Sequence, residues 1–238
     1  MNEKMHDAGI AKLHDGPCSC ELETALRGYA ARLKEVNGDN LVGAFVFGSI
    51  ARQCYHPQIS DADVLAVTTR PCTEREIAAS VSVSQHVGVP IDAVFVSCEQ
   101  LNSDQFPSPI DFLIKSTGGA KAVRKPEGSK EFLLHKEDVY EVGVPLTGPC
   151  PHELLNPVPW SLVEQCLDRL FPHLVPNFKN PELMLCRALY SHAHRRQCSK
   201  RSAGEWAARA LPKRWRPLIR AALSAYAGGD TSLKTPQE

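Results

Sequence analysis

Two aspartates one residue apart follow a glycine–serine turn in this chain. Phe47-Gly48-Ser49-Ile50-Ala51-Arg52 comes first, and eleven residues separate Ser49 from Asp61-Ala62-Asp63, which opens the apolar run Val64-Leu65-Ala66-Val67. Residues two apart on a strand point to the same face, so the carboxylates of Asp61 and Asp63 converge. Converging carboxylates form a hard-oxygen site that suits magnesium. Gly48 lets backbone approach a phosphate closely, and the hydroxyl and backbone N–H groups of Ser49 can donate to it. A third acid, Asp92, lies inside another apolar run, Pro90-Ile91-Asp92-Ala93-Val94. If the two runs pair, Asp92 joins the others. Three acids around a phosphate-binding turn fit phosphoryl or nucleotidyl transfer, in which metals draw charge from phosphate oxygens and activate an attacking hydroxyl. A Gly-Ser turn or an Asp-x-Asp alone is common; their order in apolar strands is what makes the pattern specific.

The elements that must position these residues are legible from periodicity. Leu22, Ala25, Leu26, Tyr29 and Leu33 recur at helical spacing and predict a helix over Glu21–Val36, stopped by Asn37-Gly38. Leu41–Phe47, Ala62–Thr68 and Ile91–Val96 read as buried strands, and Thr73 with Glu76 as a capping box opening a helix from Glu74 to His86. Strand, strand, helix, strand predicts a small mixed sheet. Beyond residue 97 a short helix is expected near Ile110–Ser116, with strands near Phe132–Leu134 and Val139–Val144. From residue 151 the pattern turns helical. Ser161 with Glu164 and Ser202 with Glu205 read as capping boxes, for helices to Leu170 and through Ala210. Asn180-Pro181-Glu182 reads as an Asn-capped start of a helix to Arg196, and a last helix covers Trp215–Ala227. The expected organisation is an arm over 1–20, an α/β domain over 21–150 and a helical domain over 151–238.

Composition narrows the partners. The 238 residues carry 27 Lys+Arg against 27 Asp+Glu, a balance that argues against duplex nucleic acid or an anionic membrane as a bulk electrostatic partner. The first residues mix charges without an apolar core, and no run is long enough to span a bilayer, so a cytoplasmic, monomeric protein is the expectation. The nine cysteines, Cys18 to Cys198, are odd in number and scattered, and read as reduced thiols, several of them in the core. The basic run His192–Arg201 reads as a solvated helix end and loop rather than a nucleic-acid patch.

Taken together, these residues resemble the nucleotidyltransferase superfamily that carries the Gly-Ser…Asp-x-Asp signature, and within it the aminoglycoside adenylyltransferases that modify streptomycin and spectinomycin. The likeness extends to Val142–Gly148, Leu185–Ser191, Ser199-Lys200, Glu205-Trp206-Ala207 and Leu211-Pro212. It covers roughly residues 41–227, thinly between 97 and 138. The resemblance implies an α+β chain, with an N-terminal nucleotidyltransferase domain on a small mixed sheet and a C-terminal α-helical domain. It implies magnesium-dependent transfer of AMP from ATP to a hydroxyl of an aminoglycoside-like acceptor, with release of pyrophosphate, an antibiotic-resistance activity. Gly48, Ser49, Ser60, Asp61 and Asp63 would then hold the ATP phosphates and magnesium. Asp92 would be third metal ligand and catalytic base, at a position where the family has glutamate. Arg187 and Lys200 would supply cations to the nucleotide when the domains close. Several acceptor-contacting positions differ: Asn177 and Asn180 replace an acid and a histidine, and Phe112 or Leu113 stands near the place of a tryptophan. Glu153, Asp168, Glu182 and Glu205 are the acids remaining for a polycation. The rival readings are a nucleotidyltransferase acting on a protein or RNA acceptor, and a non-catalytic nucleotide-binding module.

Overall fold

The computed structural model describes residues 20–103, 105–116, 118–170 and 180–228. Its first compact unit comprises Met1–Tyr55 and Ser60–Val158, and its second His56–Ile59 and Pro159–Glu238.

The first unit is built on one mixed sheet. In chain order its elements are α1 (Cys20–Asn37), β1 (Leu41–Phe47), a helical turn α2 (Gly48–Ala51), β2 (Ala62–Thr68), α3 (Glu74–Gln85) and β3 (Ile91–Ser97). The short α4 (Cys98–Leu101), β4 (Phe112–Lys115), β5 (Lys121–Val123), α5 (Phe132–Val142), β6 (Val144–Thr147) and the short α6 (Pro151–Leu154) follow. The strand order is β5-β4-β3-β2-β1-β6. β2 and β3 run parallel, and the other neighbours pair antiparallel. A parallel pair needs a crossover, which α3 supplies. The three central strands, β1, β2 and β3, are buried on both faces, as their near-continuous apolar runs require. One face packs Val46, Val64, Ala66 and Phe95 with Leu26, Tyr29 and Leu33 of α1 and Ile77 of α3. The other packs Phe45, Leu65, Val94 and Leu113 with Phe132 and Val139 of α5.

The three central strands and the helices flanking them match the expectation, and the capping box of Thr73 and Glu76 is formed. Residues 110–144 correct it. The helix expected over Ile110–Ser116 is strand β4, which aligns Phe112 against Phe95 and pairs β3 with β5. The strands expected at Phe132–Leu134 and Val139–Val144 are one helix, α5, followed by β6. Phe132, Leu133, Lys136 and Val139 are buried along it at helical spacing. The aromatic and β-branched content favoured a strand, but one apolar stripe against the sheet decides.

The second unit contains α7 (Trp160–Leu170), α8 (Pro181–His194), α9 (Lys200–Ala210), a 3₁₀ turn (Lys213–Trp215) and α10 (Arg216–Ala227). Helices α8, α9 and α10 pack on one another around Cys186, Tyr190, Ala203, Ala207 and Ile219. Gly204 permits the close approach: a Cβ there would meet Leu223 at 2.7 Å and Leu183 at 2.8 Å. The helices stand where expected, but their caps do not. Ser161 lies inside α7, which starts at Trp160 with Leu162 N–H bonded to the Pro159 carbonyl. Asn180 is left-handed (φ 55°) and makes no side-chain cap bond. At α9 the cap is Ser199, accepting from Ser202 N–H at 3.0 Å.

Residues 1–19 of the expected arm, Asn177 and residues 229–238 lie outside the described residues. No helix among the described residues is long and apolar enough to cross a membrane. The cysteines from Cys20 on are free thiols, and Cys72, Cys166, Cys186 and Cys198 are buried. Burial pushes the Cys72 and Cys166 thiols up to about 12, which leaves them unreactive core residues.

Candidate active site

The site grows from the end of β1. Phe47 is the last strand residue, and Gly48 turns the chain with φ +64°, a left-handed conformation that favours glycine. A Cβ at Gly48 would collide with the carboxylate of Asp63, so the same glycine brings backbone and acid together. The turn is closed by Arg52 N–H on the Gly48 carbonyl (3.0 Å) and Cys54 N–H on the Ser49 carbonyl (2.9 Å).

Asp63 is the second residue of β2. It pairs with Phe47 across the antiparallel neighbour and with Asp92 across the parallel one. The β2–β3 register thus sets two carboxylates side by side, on the sheet face that carries Leu65, Val67, Val94 and Val96. Asp61 stands two residues earlier and half-buried, as does Ser60. Burial, reinforced by the charges of Asp92, Asp138 and Asp61 against the relief from Lys115, pushes the Asp63 carboxyl up to about 7. The cluster is short of positive charge where the acids meet.

Asp92 is held differently. Its Oδ2 accepts from Lys115 Nζ at 2.7 Å, and its Oδ1 accepts from both the N–H and the hydroxyl of Ser116, each at 3.0 Å. Burial opposes ionisation, but these donors outweigh it and hold the carboxyl below its ordinary value. Desolvation likewise works against the Lys115 ammonium, and the bond to Asp92 overcomes it. Among the described residues no group of three His, Cys, Asp or Glu side chains comes together as a metal cage. Two aspartates with oxygen ligands from phosphates still suit magnesium, which is commonly bound through one or two carboxylates plus substrate phosphates.

A fourth acid, Asp138 of α5, was not anticipated. Its Oδ2 accepts from Gly48 N–H at 2.9 Å, and its Oδ1 pairs with the Arg52 guanidinium, whose Nε lies at 2.8 Å. The pair is nearly enclosed, Arg52 13% and Asp138 5% exposed, and Glu141 adds a second carboxylate at 3.5 Å from Arg52. The Gly-Ser turn is therefore anchored to a helix that stands where two strands were expected. Lys115 was missed for the same reason: once residues 112–115 form a strand, Leu113 and Lys115 share the face of Asp92.

The remaining expected residues lie on the second unit. Arg187 is half-buried on α8, its guanidinium 4.0 Å from the Met184 sulfur, and Lys200 is the first residue of α9. Asp168 faces His192 at 3.4 Å and Glu205 pairs with Arg201 at 3.1 Å. Glu182 keeps one buried carboxylate oxygen without a hydrogen-bond partner. In the first unit Glu153 caps its own turn by accepting from Cys150 N–H (3.2 Å). Phe112 is fully buried and stacked on Phe95, and Leu113 is also in the core, so neither stands in for a ligand-contacting tryptophan.

The nucleotidyltransferase domain model matches residues 26–143, and the model of the aminoglycoside adenylyltransferase C-terminal domain matches residues 154–238. The chain is similar to the spectinomycin 9-adenylyltransferase of Staphylococcus aureus, 24% identical over 213 residues and 82% of each chain. The Campylobacter jejuni protein of the same name is 22% identical over 204 residues, 79% of each. Among solved structures, spectinomycin adenyltransferase AAD(9) from Enterococcus faecialis with ATP and spectinomycin has a TM-score of 0.72 at 19% identity. That likeness covers 89% of this chain and 91% of the other, and it establishes a shared fold.

Proposed function

We propose, for a chain that belongs to the aminoglycoside nucleotidyltransferases of the streptomycin/spectinomycin adenylyltransferase type and is a nucleotidyltransferase, that it moves AMP from ATP to a hydroxyl of spectinomycin or a related aminoglycoside. The observation that carries the reading is the pairing of Asp63 with the Gly48 turn on one side and Asp92 on the other.

In this reading the ATP phosphates lie against the Gly48-Ser49 turn, with the hydroxyls of Ser49 and Ser60 as donors. Asp61 and Asp63 are the residues that would hold magnesium. Their fit to it rests on the donor set itself, hard oxygens in a cluster whose Asp63 is lifted to about 7 by burial and by the neighbouring acids. The chemistry a bound magnesium supplies is withdrawal of charge from the phosphate oxygens. Asp92, held ionised, accepts the proton of the acceptor hydroxyl. The hydroxyl oxygen bonds to the α-phosphorus, the bond from that phosphorus to the bridging oxygen breaks, and pyrophosphate leaves with that electron pair. Arg187 and Lys200 supply further positive charge to the nucleotide.

The test is incubation with ATP, magnesium and a panel including spectinomycin and streptomycin, followed by mass analysis of the drugs. An AMP adduct on spectinomycin is expected. Its absence on every aminoglycoside tried overturns the acceptor assignment.

A further inference from the structure

Asp92 accepts on both carboxylate oxygens from the end of β4. Lys115 is the last residue of that strand, and the antiparallel β3–β4 register, which pairs Ala93 with Ile114, brings Lys115 beside Asp92. The donor is thus set by sheet pairing rather than by a loop. Its partner carboxylate is 18% exposed, while the lysine side chain is 43% exposed. With Lys115 on Oδ2 and two Ser116 donors on Oδ1, the rotamer of Asp92 is fixed at three points. A fixed carboxylate matters more here because aspartate is a methylene shorter than glutamate, and a small misplacement of a proton acceptor costs rate steeply.

We propose that Lys115 is a positioning residue for the transfer: it holds Asp92 in a fixed orientation and keeps that carboxylate apart from the pair Asp61 and Asp63, which is left to bind the metal. The inference rests on the reading that the Asp61–Asp63–Asp92 site transfers a nucleotide. It divides the three acids into a metal-binding pair and a separately held proton acceptor. It also gives the ammonium a cost: a fixed positive charge beside the acidic pair weakens the binding of a second cation there.

Two measurements on the full chain test it. Lys115→Met keeps the length of the side chain and removes its charge; Lys115→Arg restores the charge. AMP transfer to spectinomycin by Lys115→Met should fall at least about 30-fold in kcat, with KM for ATP and for spectinomycin within about threefold, and Lys115→Arg should recover at least about tenfold. Manganese binding without ATP, read by electron paramagnetic resonance, should be at least about fivefold tighter in Lys115→Met, because Asp92 becomes available and the repelling charge is gone. A lysine that only supports the fold would not tighten a metal site. A kcat within about threefold of wild type, or manganese binding unchanged or weaker, overturns the proposal. Should the wild-type chain modify no aminoglycoside, the functional reading fails, and the manganese titration still decides whether Lys115 holds Asp92 away from the pair. Lys115→Gln replaces Lys115→Met in both arms if circular dichroism shows the latter unfolded.

Discussion

Asp63 stands where the sheet can least easily hold a charge. Its carboxyl is lifted from 3.8 to about 7, so the folded chain binds that proton more tightly than the unfolded chain. The sign follows: this group lowers stability progressively as pH rises from about 4 to about 7, and the penalty is complete above that. Asp63→Asn should therefore abolish AMP transfer yet stabilise the metal-free protein at pH 8, by on the order of 2 kcal/mol in urea denaturation after allowing for solvent screening. An unchanged or lower stability would mean that burial and the neighbouring acids do not disfavour the Asp63 charge as described. Asp138 works in the opposite sense. Removing it takes away the closest carboxylate of the enclosed Arg52 guanidinium and the acceptor of the Gly48 N–H. Asp138→Ala should lose about 3 kcal/mol, and Arg52→Met in the same background should recover part of that loss.

The helix α3 supplies the crossover that makes β2 and β3 parallel, and its first turn depends on a capping box. Thr73 N–H donates to Glu76 at 2.7 Å, and Glu76 N–H donates back to the Thr73 hydroxyl at 3.3 Å. Hydrogen bonds from Arg70, with those from Thr73, hold the Glu76 carboxyl down from 4.5 to about 2. Its contribution is present above pH 4.5 and lost as pH falls toward 2. Glu76→Gln should thus lower the melting temperature at pH 7 and make no difference near pH 2; an equal effect at both would contradict the charge account. Thr73→Ala should cost about 1 kcal/mol, measured by denaturation. This helix was legible because its start is written in two residues three apart. The strands flanking it were legible because both faces are buried and their runs are continuous. Residues 110–144 were not, because short apolar runs such as Phe112-Leu113-Ile114 and Phe132-Leu133-Leu134 suit either a strand or a helix until a neighbour claims them. That ambiguity hid Lys115 and Asp138, whose places depend on the strand and helix that carry them. The charge-bearing motif was readable from Gly48, Ser49, Asp61, Asp63 and Asp92; the partners that tune each acid were not, since they arrive through tertiary pairing.

At the scale of the whole molecule, the proposed nucleotide contacts fall on both units. The first unit carries Asp61, Asp63 and Asp92, and the second carries Arg187 and Lys200 on helices α8 and α9. If these cations serve ATP, Arg187→Ala and Lys200→Ala should each raise KM for ATP about tenfold or more, with the melting temperature little changed. Unchanged KM for both would confine the nucleotide site to the first unit. The acceptor was the least legible part of the sequence, since several positions expected to meet it differ from the family and Asn177 lies outside the described residues. The claim that stands above these is that Asp61 and Asp63 at the Gly48 turn transfer a nucleotide rather than a phosphate. Incubating wild type and Asp63→Asn with spectinomycin, magnesium and ATP labelled at either the α- or the γ-phosphate tests it directly. The α-label should appear on spectinomycin with wild type and not with Asp63→Asn, while the γ-label leaves as pyrophosphate. A γ-label on the drug, or an α-label transferred equally by both proteins, would contradict the account.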